Sequence, residues 1–210
     1  MGEWFGILEG MIPPPEDVDP AWSVPGVGDS TRYPEDYLNL VRAYGPGLFD
    51  DFMNLFVPSS SNMHSSSVYN TTLRIDEIRQ YRRLSGAFPS ELPDLDLSKL
   101  HVWGASEMGE PMYWAADEKG NPVDLVVVDR RWDGERVLYQ MGVLEYLVRL
   151  LRGDESVSMC PGDVPAETHT FESFAPGQCP VGKEEWGRPK RDERYEFAKY
   201  PLYRRDPFVS

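Results

Sequence analysis

Cysteine and histidine are scarce in this 210-residue chain, which holds two cysteines and three histidines. Cys160 and Cys179 are too few for a disulfide scaffold and too far apart for a CxxC zinc or redox half-site. His169 lies nine residues after the first cysteine and ten before the second, unlike the short ligand pairs of metal sites. The sequence therefore predicts reduced thiols and no metal site.

Basic residues and long apolar runs are also few. The chain has 21 Lys and Arg residues and 35 Asp and Glu residues, which gives a net charge of -14. This charge argues against a nucleic-acid partner. The longest aliphatic run, residues 125–128, is far below the roughly 20 residues of a spanning helix. A signal peptide requires a basic segment before its apolar residues, and the N-terminal residues do not contain one. We expect no membrane association and a cytoplasmic location.

Apolar residues make up 40% of the chain and aromatic residues 12%, which is too rich for a disordered protein. A chain of this length is expected to form roughly one domain. Tyr37, Leu40, Val41 and Tyr44 follow helical spacing between Pro34 and Gly45, which predicts an amphipathic helix. Similar patterns predict helices over 72–84 and 143–151, and a polar loop over 59–67.

Strand patterns are concentrated in the middle of the chain. A buried strand is predicted over 52–57, and four more are predicted over 100–105, 112–116, 123–129 and 136–140. Short turns between the last four indicate an antiparallel meander, with the strand 123–129 central because both its faces are apolar. The expected fold class is α+β: an antiparallel meander flanked by helices over residues 1–155. Residues 156–210 form an irregular Pro/Gly/charge-rich extension, either packed on this domain or disordered.

Two sequence motifs resemble catalytic or nucleotide-binding motifs, but each lacks residues that the chemistry needs. Residues 177–183 fit the GxxxxGK phosphate loop, but Glu184 stands where magnesium binding needs a hydroxyl. The Gly-Asp-Ser-Thr block at 28–31 is similar to a serine-esterase motif, but it lacks a preceding strand and a later Asp-x-x-His. Ser30 or its neighbour Asp29 is better interpreted as a helix cap. We therefore predict no catalytic residue and no cofactor.

Four stretches together resemble the SUKH superfamily of immunity proteins, whose fungal members regulate cell-wall synthesis. The resemblance covers residues 11–155, and the closing helix 143–151 followed by Gly153 fits it too. The stretches are Ile12-Pro-Pro-Pro15, Trp22 ahead of the first helix, Tyr33-Pro-Glu-Asp-Tyr-Leu-Asn-Leu-Val-Arg-Ala-Tyr-Gly-Pro-Gly47 with Phe49-Asp-Asp-Phe52, and Leu100-His-Val-Trp-Gly104 with Gly109-Glu-Pro-Met-Tyr-Trp114.

The resemblance implies a non-enzymatic protein of the cytosol that binds and neutralises a cognate toxin of a polymorphic toxin system. Such toxins are often nucleases or nucleic-acid deaminases. In this family the helix with its following glycine, and the Trp-Gly strand, determine the fold rather than catalyse. The acidic composition suits a basic protein partner, because opposed charges accelerate association. We expect a monomer or weak dimer.

The predicted partner contacts are acids in the turns beside the strands. Two alternatives remain open: a scaffold or regulatory module of the same fold with a non-toxin partner, and a hydrolase using Ser30 or a carboxylate pair. The predicted contact residues are Asp50, Asp51, Glu107, Glu110, Asp117 and Glu118.

Overall fold

The computed structural model describes residues 2–23, 31–58, 65–85, 96–130, 135–157 and 166–174. All of them belong to one compact unit, residues 1–180. Within them lie four α-helices and seven β-strands, which confirms the α+β class. The helices are α1 (Glu3–Met11), α2 (Glu35–Tyr44), α3 (Ser67–Ser85) and α4 (Val143–Leu151). The strands are β1 (Gly47–Phe49), β2 (Met53–Leu55), β3 (Leu100–Ser106), β4 (Pro111–Ala116), β5 (Pro122–Arg130), β6 (Glu135–Tyr139) and β7 (Phe171–Ser173).

The seven strands form one sheet in the order β6-β5-β4-β3-β2-β1-β7, and every neighbouring pair is antiparallel. The predicted meander over β3 to β6 is confirmed. β5 is hydrogen-bonded on both sides, but it is second from the edge, and the middle strand is β3. The prediction of a central β5 was wrong. Apolar residues on both faces of a strand indicate that both faces are buried, and a strand second from the edge can be buried in the same way. β7 lies within the residues that the sequence assigns to the extension.

Helices α1, α2 and α4 cover one face of the sheet with the larger apolar core. The predicted apolar stripe of α2 is fully buried in it. The Tyr37 hydroxyl donates to the Phe56 carbonyl at 2.7 Å, and the Tyr44 hydroxyl donates to the Ile12 carbonyl at 2.6 Å. Both of these buried phenols are thus hydrogen-bonded, as burial of a polar group favours. The two bonds connect α2 to the residue after β2 and to the residue after α1.

Helix α3 contacts β3 from the opposite face, at an irregularity in the sheet. The pairing of β3 with β4 shifts between Val102 and Gly104. The Val102 amide donates to Thr71 Oγ1 at 2.8 Å, and the Ser67 hydroxyl donates to the Val102 carbonyl at 2.5 Å. The helix begins at Ser67, five residues before the predicted start, and Ser67 and Thr71 satisfy the backbone groups of Val102 at this bulge.

Several sequence hypotheses fall outside the described residues. They concern the Ser30 block, Cys160 and Cys179, the GxxxxGK segment, and most of the extension. Among the helices that the structure describes, none combines the length and the apolarity that crossing a membrane would require.

Candidate partner-binding surface

The antiparallel pairing divides the six predicted contact residues between two ends of the sheet. β2 pairs with β3 so that Met53 faces Ser106, which brings the β1–β2 turn beside the β3–β4 turn. The Glu107 amide donates to the Phe52 carbonyl at 2.7 Å across this junction. Asp50, Asp51, Glu107 and Glu110 therefore share one end. Asp117 and Glu118 occupy the β4–β5 turn, which the alternation of an antiparallel meander places at the other end.

Asp50 and Asp51 form the tight turn between β1 and β2. Both have left-handed backbone conformations, with φ of 52° and 51°, and are the central residues of a β-turn in which the Phe52 amide donates to the Phe49 carbonyl at 2.9 Å. The Asp50 carboxylate accepts the Thr170 amide at 2.7 Å and lies 2.8 Å from His169 Nδ1. Its side chain is only 4% exposed. Asp50 thus holds the approach to β7, whereas Asp51 is exposed.

Glu110 closes the β3–β4 turn from inside. It is 1% exposed, and its Oε2 lies 3.2 Å from the Ser106 hydroxyl, which donates to it. The Glu110 amide in turn donates to Ser106 Oγ at 3.1 Å. Gly109, with a φ of 79°, provides the left-handed residue of the turn. These contacts give Glu110 a structural role in shaping the turn.

Glu107 and Asp51 are exposed neighbours at this end, and neither forms an ion pair with a described residue. Partial burial, and then the negative charge of Asp51, raise the pKa of Glu107 above its usual 4.5. Met108, beside Glu107, is 54% exposed. We call Asp51, Glu107 and Met108 the acidic tip. A cation placed there would relieve the repulsion between its two carboxylates.

The acids at the opposite end already have partners. Asp117 Oδ1 accepts the amides of Lys119 and Asn121, each at 2.8 Å, and the Asn121 side chain and these amides lower the pKa of Asp117. Asp117 thereby organises its own turn. The Glu118 side chain is 94% exposed, and its Oε2 lies 3.8 Å from Lys99 Nζ. This end therefore already contains a counter-charge.

A third acidic region, not predicted from the sequence, lies at the start of α4. Asp36 Oδ2 accepts the Leu144 amide at 3.0 Å and so caps α4 from α2. This contact replaces an N-cap side chain, which Gly142 cannot supply. Burial, and more weakly the charge of Asp124, raise the pKa of Asp36, while the backbone hydrogen bonds oppose the shift. Asp36 borders a surface cavity of about 470 Å³.

We expect Asp36→Ala to lower the free energy of unfolding by about 1 kcal/mol, because α4 loses its cap. Asp36→Asn keeps an acceptor and should cost less than half of that at pH 7. The raised pKa means that folding favours the neutral carboxyl, so wild-type stability from this group falls as pH rises from 3.8 through the raised value. Urea denaturation at several pH values across this range should show that the difference in free energy of unfolding between the wild type and the asparagine variant becomes smaller as pH rises. A constant difference would contradict this linkage.

Metal ligation has no support in the part of the chain described above, where no three His, Cys, Asp or Glu side chains cluster suitably. No protein-family model, curated protein or solved structure matches this chain.

Proposed function

We propose that this protein is a non-enzymatic immunity protein that binds and neutralises a basic cognate toxin of a polymorphic toxin system through the acidic tip. The class of function comes from the SUKH resemblance. The observation that carries the choice of surface is the exposed pair Asp51 and Glu107, whose charges have no counter-ion among the described residues.

The electrostatics of the acidic tip support a basic partner. Burial raises the pKa of Glu107 most, and the negative charge of Asp51 adds to it, so a lysine or arginine of the toxin would favour the charged form of Glu107. Met108 adds an apolar contact next to the two carboxylates, and methionine adapts well to binding surfaces. The chain's net charge of -14 would steer a positive partner over a longer range.

The positions of the resemblance stretches also support a binding role. Trp103 and Gly104 lie in the buried middle strand, and the residues Tyr37 to Tyr44 supply the buried face of α2. These residues serve packing, as the resemblance implies. The turns that leave the sheet, in contrast, place side chains outside the core, where a partner can contact them.

The experiment uses the toxin encoded beside this gene, first tested for neutralisation by co-expression in cells. We then expect the double variant Asp51→Asn/Glu107→Gln to slow association about tenfold at low salt, because steering by charge is weakened. The slope of association rate against ionic strength should flatten, and dissociation should change less. Stopped-flow measurements at several salt concentrations give these rates.

Glu118→Gln is the matched control, since it removes one exposed charge at the opposite end of the sheet. Its effect on association should be less than twofold. Failure of the chain to protect cells would contradict the immunity function. If protection holds but the double variant associates like the wild type, binding occurs elsewhere and the acidic tip is the wrong surface.

A further inference from the structure

The surface cavity beside Asp36 has an acidic wall. It lies between the first residues of α1, α2, β5 and α4. Glu35, Asp36, Asp124 and Glu145 line it, and no Lys, Arg or His is among the described residues that do so. It is distinct from the acidic tip, which lies on the turns β1–β2 and β3–β4.

Two of these carboxylates already have counter-ions. Glu35 pairs with Arg42 at 3.0 Å, and Glu145 pairs with Arg149 at 2.8 Å. Asp124, which is exposed, has no ion pair among the described residues. Asp36 has backbone donors only.

Asp36 and Asp124 both approach Gly142. A Cβ atom at position 142 would lie 2.6 Å from Asp36 Oδ2 and 3.9 Å from Asp124 Oδ1. Asp36 Oδ2 therefore occupies the space that a side chain at this position would take, and the two carboxylate oxygens lie no more than 6.5 Å apart. A planar cation in the cavity would contact both, and no Lys, Arg or His is among the described residues that line it.

The remaining wall is aromatic and includes an unsatisfied donor. Trp4, Phe5 and Trp114 line the cavity. Trp114 is 1% exposed, and its indole N–H has no hydrogen-bond partner among the described groups. A buried donor without an acceptor is unfavourable, and this one lies within the cavity wall. The cavity thus combines negative charge and aromatic surface, with one unsatisfied donor buried in its wall.

We propose that this cavity binds an arginine side chain presented by a partner polypeptide. The guanidinium lies between Asp36 and Asp124, and the methylene stem packs on the aromatic wall. Arginine suits this site because its planar fork can serve two carboxylates and stacks on aromatic rings. A free amino acid is disfavoured because its own carboxylate is repelled by the acidic wall.

The probe is N-acetyl-arginine amide, titrated into the full chain while amide and indole resonances are followed by NMR. We expect saturable shifts centred on the Trp114 indole and the Leu144 amide. The neutral analogue N-acetyl-citrulline amide should give no saturable shift, and free arginine should bind more weakly than the blocked form. Asp124→Asn should weaken binding about tenfold, because one charge-assisted contact is lost. Glu172→Gln, which neutralises an exposed carboxylate on β7 at the other edge of the sheet, should bind like the wild type.

Three results would overturn the inference: no saturable shift with the blocked arginine, equal binding of the citrulline analogue, or unchanged affinity in Asp124→Asn. Binding of free arginine at least as tight as that of the blocked form would reject a polypeptide as the source. The citrulline comparison uses the unaltered protein, so the test does not depend on any variant folding correctly. Since the acidic tip does not line this cavity, the outcome of the arginine titration is independent of the outcome of the toxin experiment.

Discussion

Gly104→Ala is expected to lower the free energy of unfolding by about 1–3 kcal/mol, because a methyl group has no room in the middle of the sheet. A Cβ at this position would lie 2.6 Å from the Asn54 carbonyl oxygen and 3.1 Å from Met112 Cε. The methionine can move, but the carbonyl belongs to the backbone of β2, which is paired with β3. Urea denaturation monitored by tryptophan fluorescence measures the loss directly.

The matched control is Gly6→Ala, the same chemical change on α1. Nothing lies within 4 Å of the Cβ position at Gly6, and alanine favours a helix interior over glycine. This variant should raise the free energy of unfolding by about 0.5–1 kcal/mol. Equal effects from the two substitutions would show that the close approach of β2 and β3 does not determine the requirement for glycine. The Trp-Gly stretch of the family resemblance thus has a steric explanation at its glycine.

Most of the fold is predictable where the pattern is local. The stripe of α2 and the apolar face of α4 repeat at helical spacing over nine or ten residues, and both helices end before a glycine or an arginine-glycine pair. The four strands of the meander alternate with short turns, which specifies antiparallel neighbours without long-range information.

The elements that were not predicted depend on contacts distant in sequence. β1 and β7 have three residues each, too few for a periodic signal, and Leu48 pairs with Glu172 across more than half the chain. α1 contains Gly6 and Gly10, which weaken its helical propensity, and it is held by the burial of Phe5 and Leu8 against the core. In these cases tertiary packing outweighs the local preference.

The candidate site shows the same division. Turn chemistry correctly places acids in the β1–β2 and β4–β5 turns, because aspartate tolerates left-handed conformations and bonds its own backbone. The sequence cannot separate Asp50 from Asp51, since the partner that buries Asp50 is His169, 119 positions away. It also cannot identify Asp36 as the cap of α4, because donor and acceptor are 108 positions apart.

Gly47→Ala is expected to detach β7 from the edge of the sheet. A Cβ at position 47 would overlap Phe171 Cζ and lie 2.5 Å from the Glu172 carbonyl oxygen. The ring of Phe171 packs on Tyr44 and Phe49, with centroid distances of 5.2 and 4.6 Å, so it cannot move without losing these contacts. We expect a loss of about 1–3 kcal/mol in the free energy of unfolding.

Hydrogen exchange followed by NMR distinguishes detachment of β7 from general destabilisation. The Asp50 amide donates to the Thr170 carbonyl at 3.0 Å and the Phe174 amide to Pro46 at 2.9 Å, so both should lose protection in Gly47→Ala. Amides of the β4–β5 pair should exchange only as fast as the lower global stability predicts. Ser173→Ala is the matched control because Ser173 is exposed and pairs with Gly47. Full protection at Asp50 and Phe174 in Gly47→Ala would mean that β1 accommodates the methyl group and that β7 is held by the His169–Asp50 contact instead.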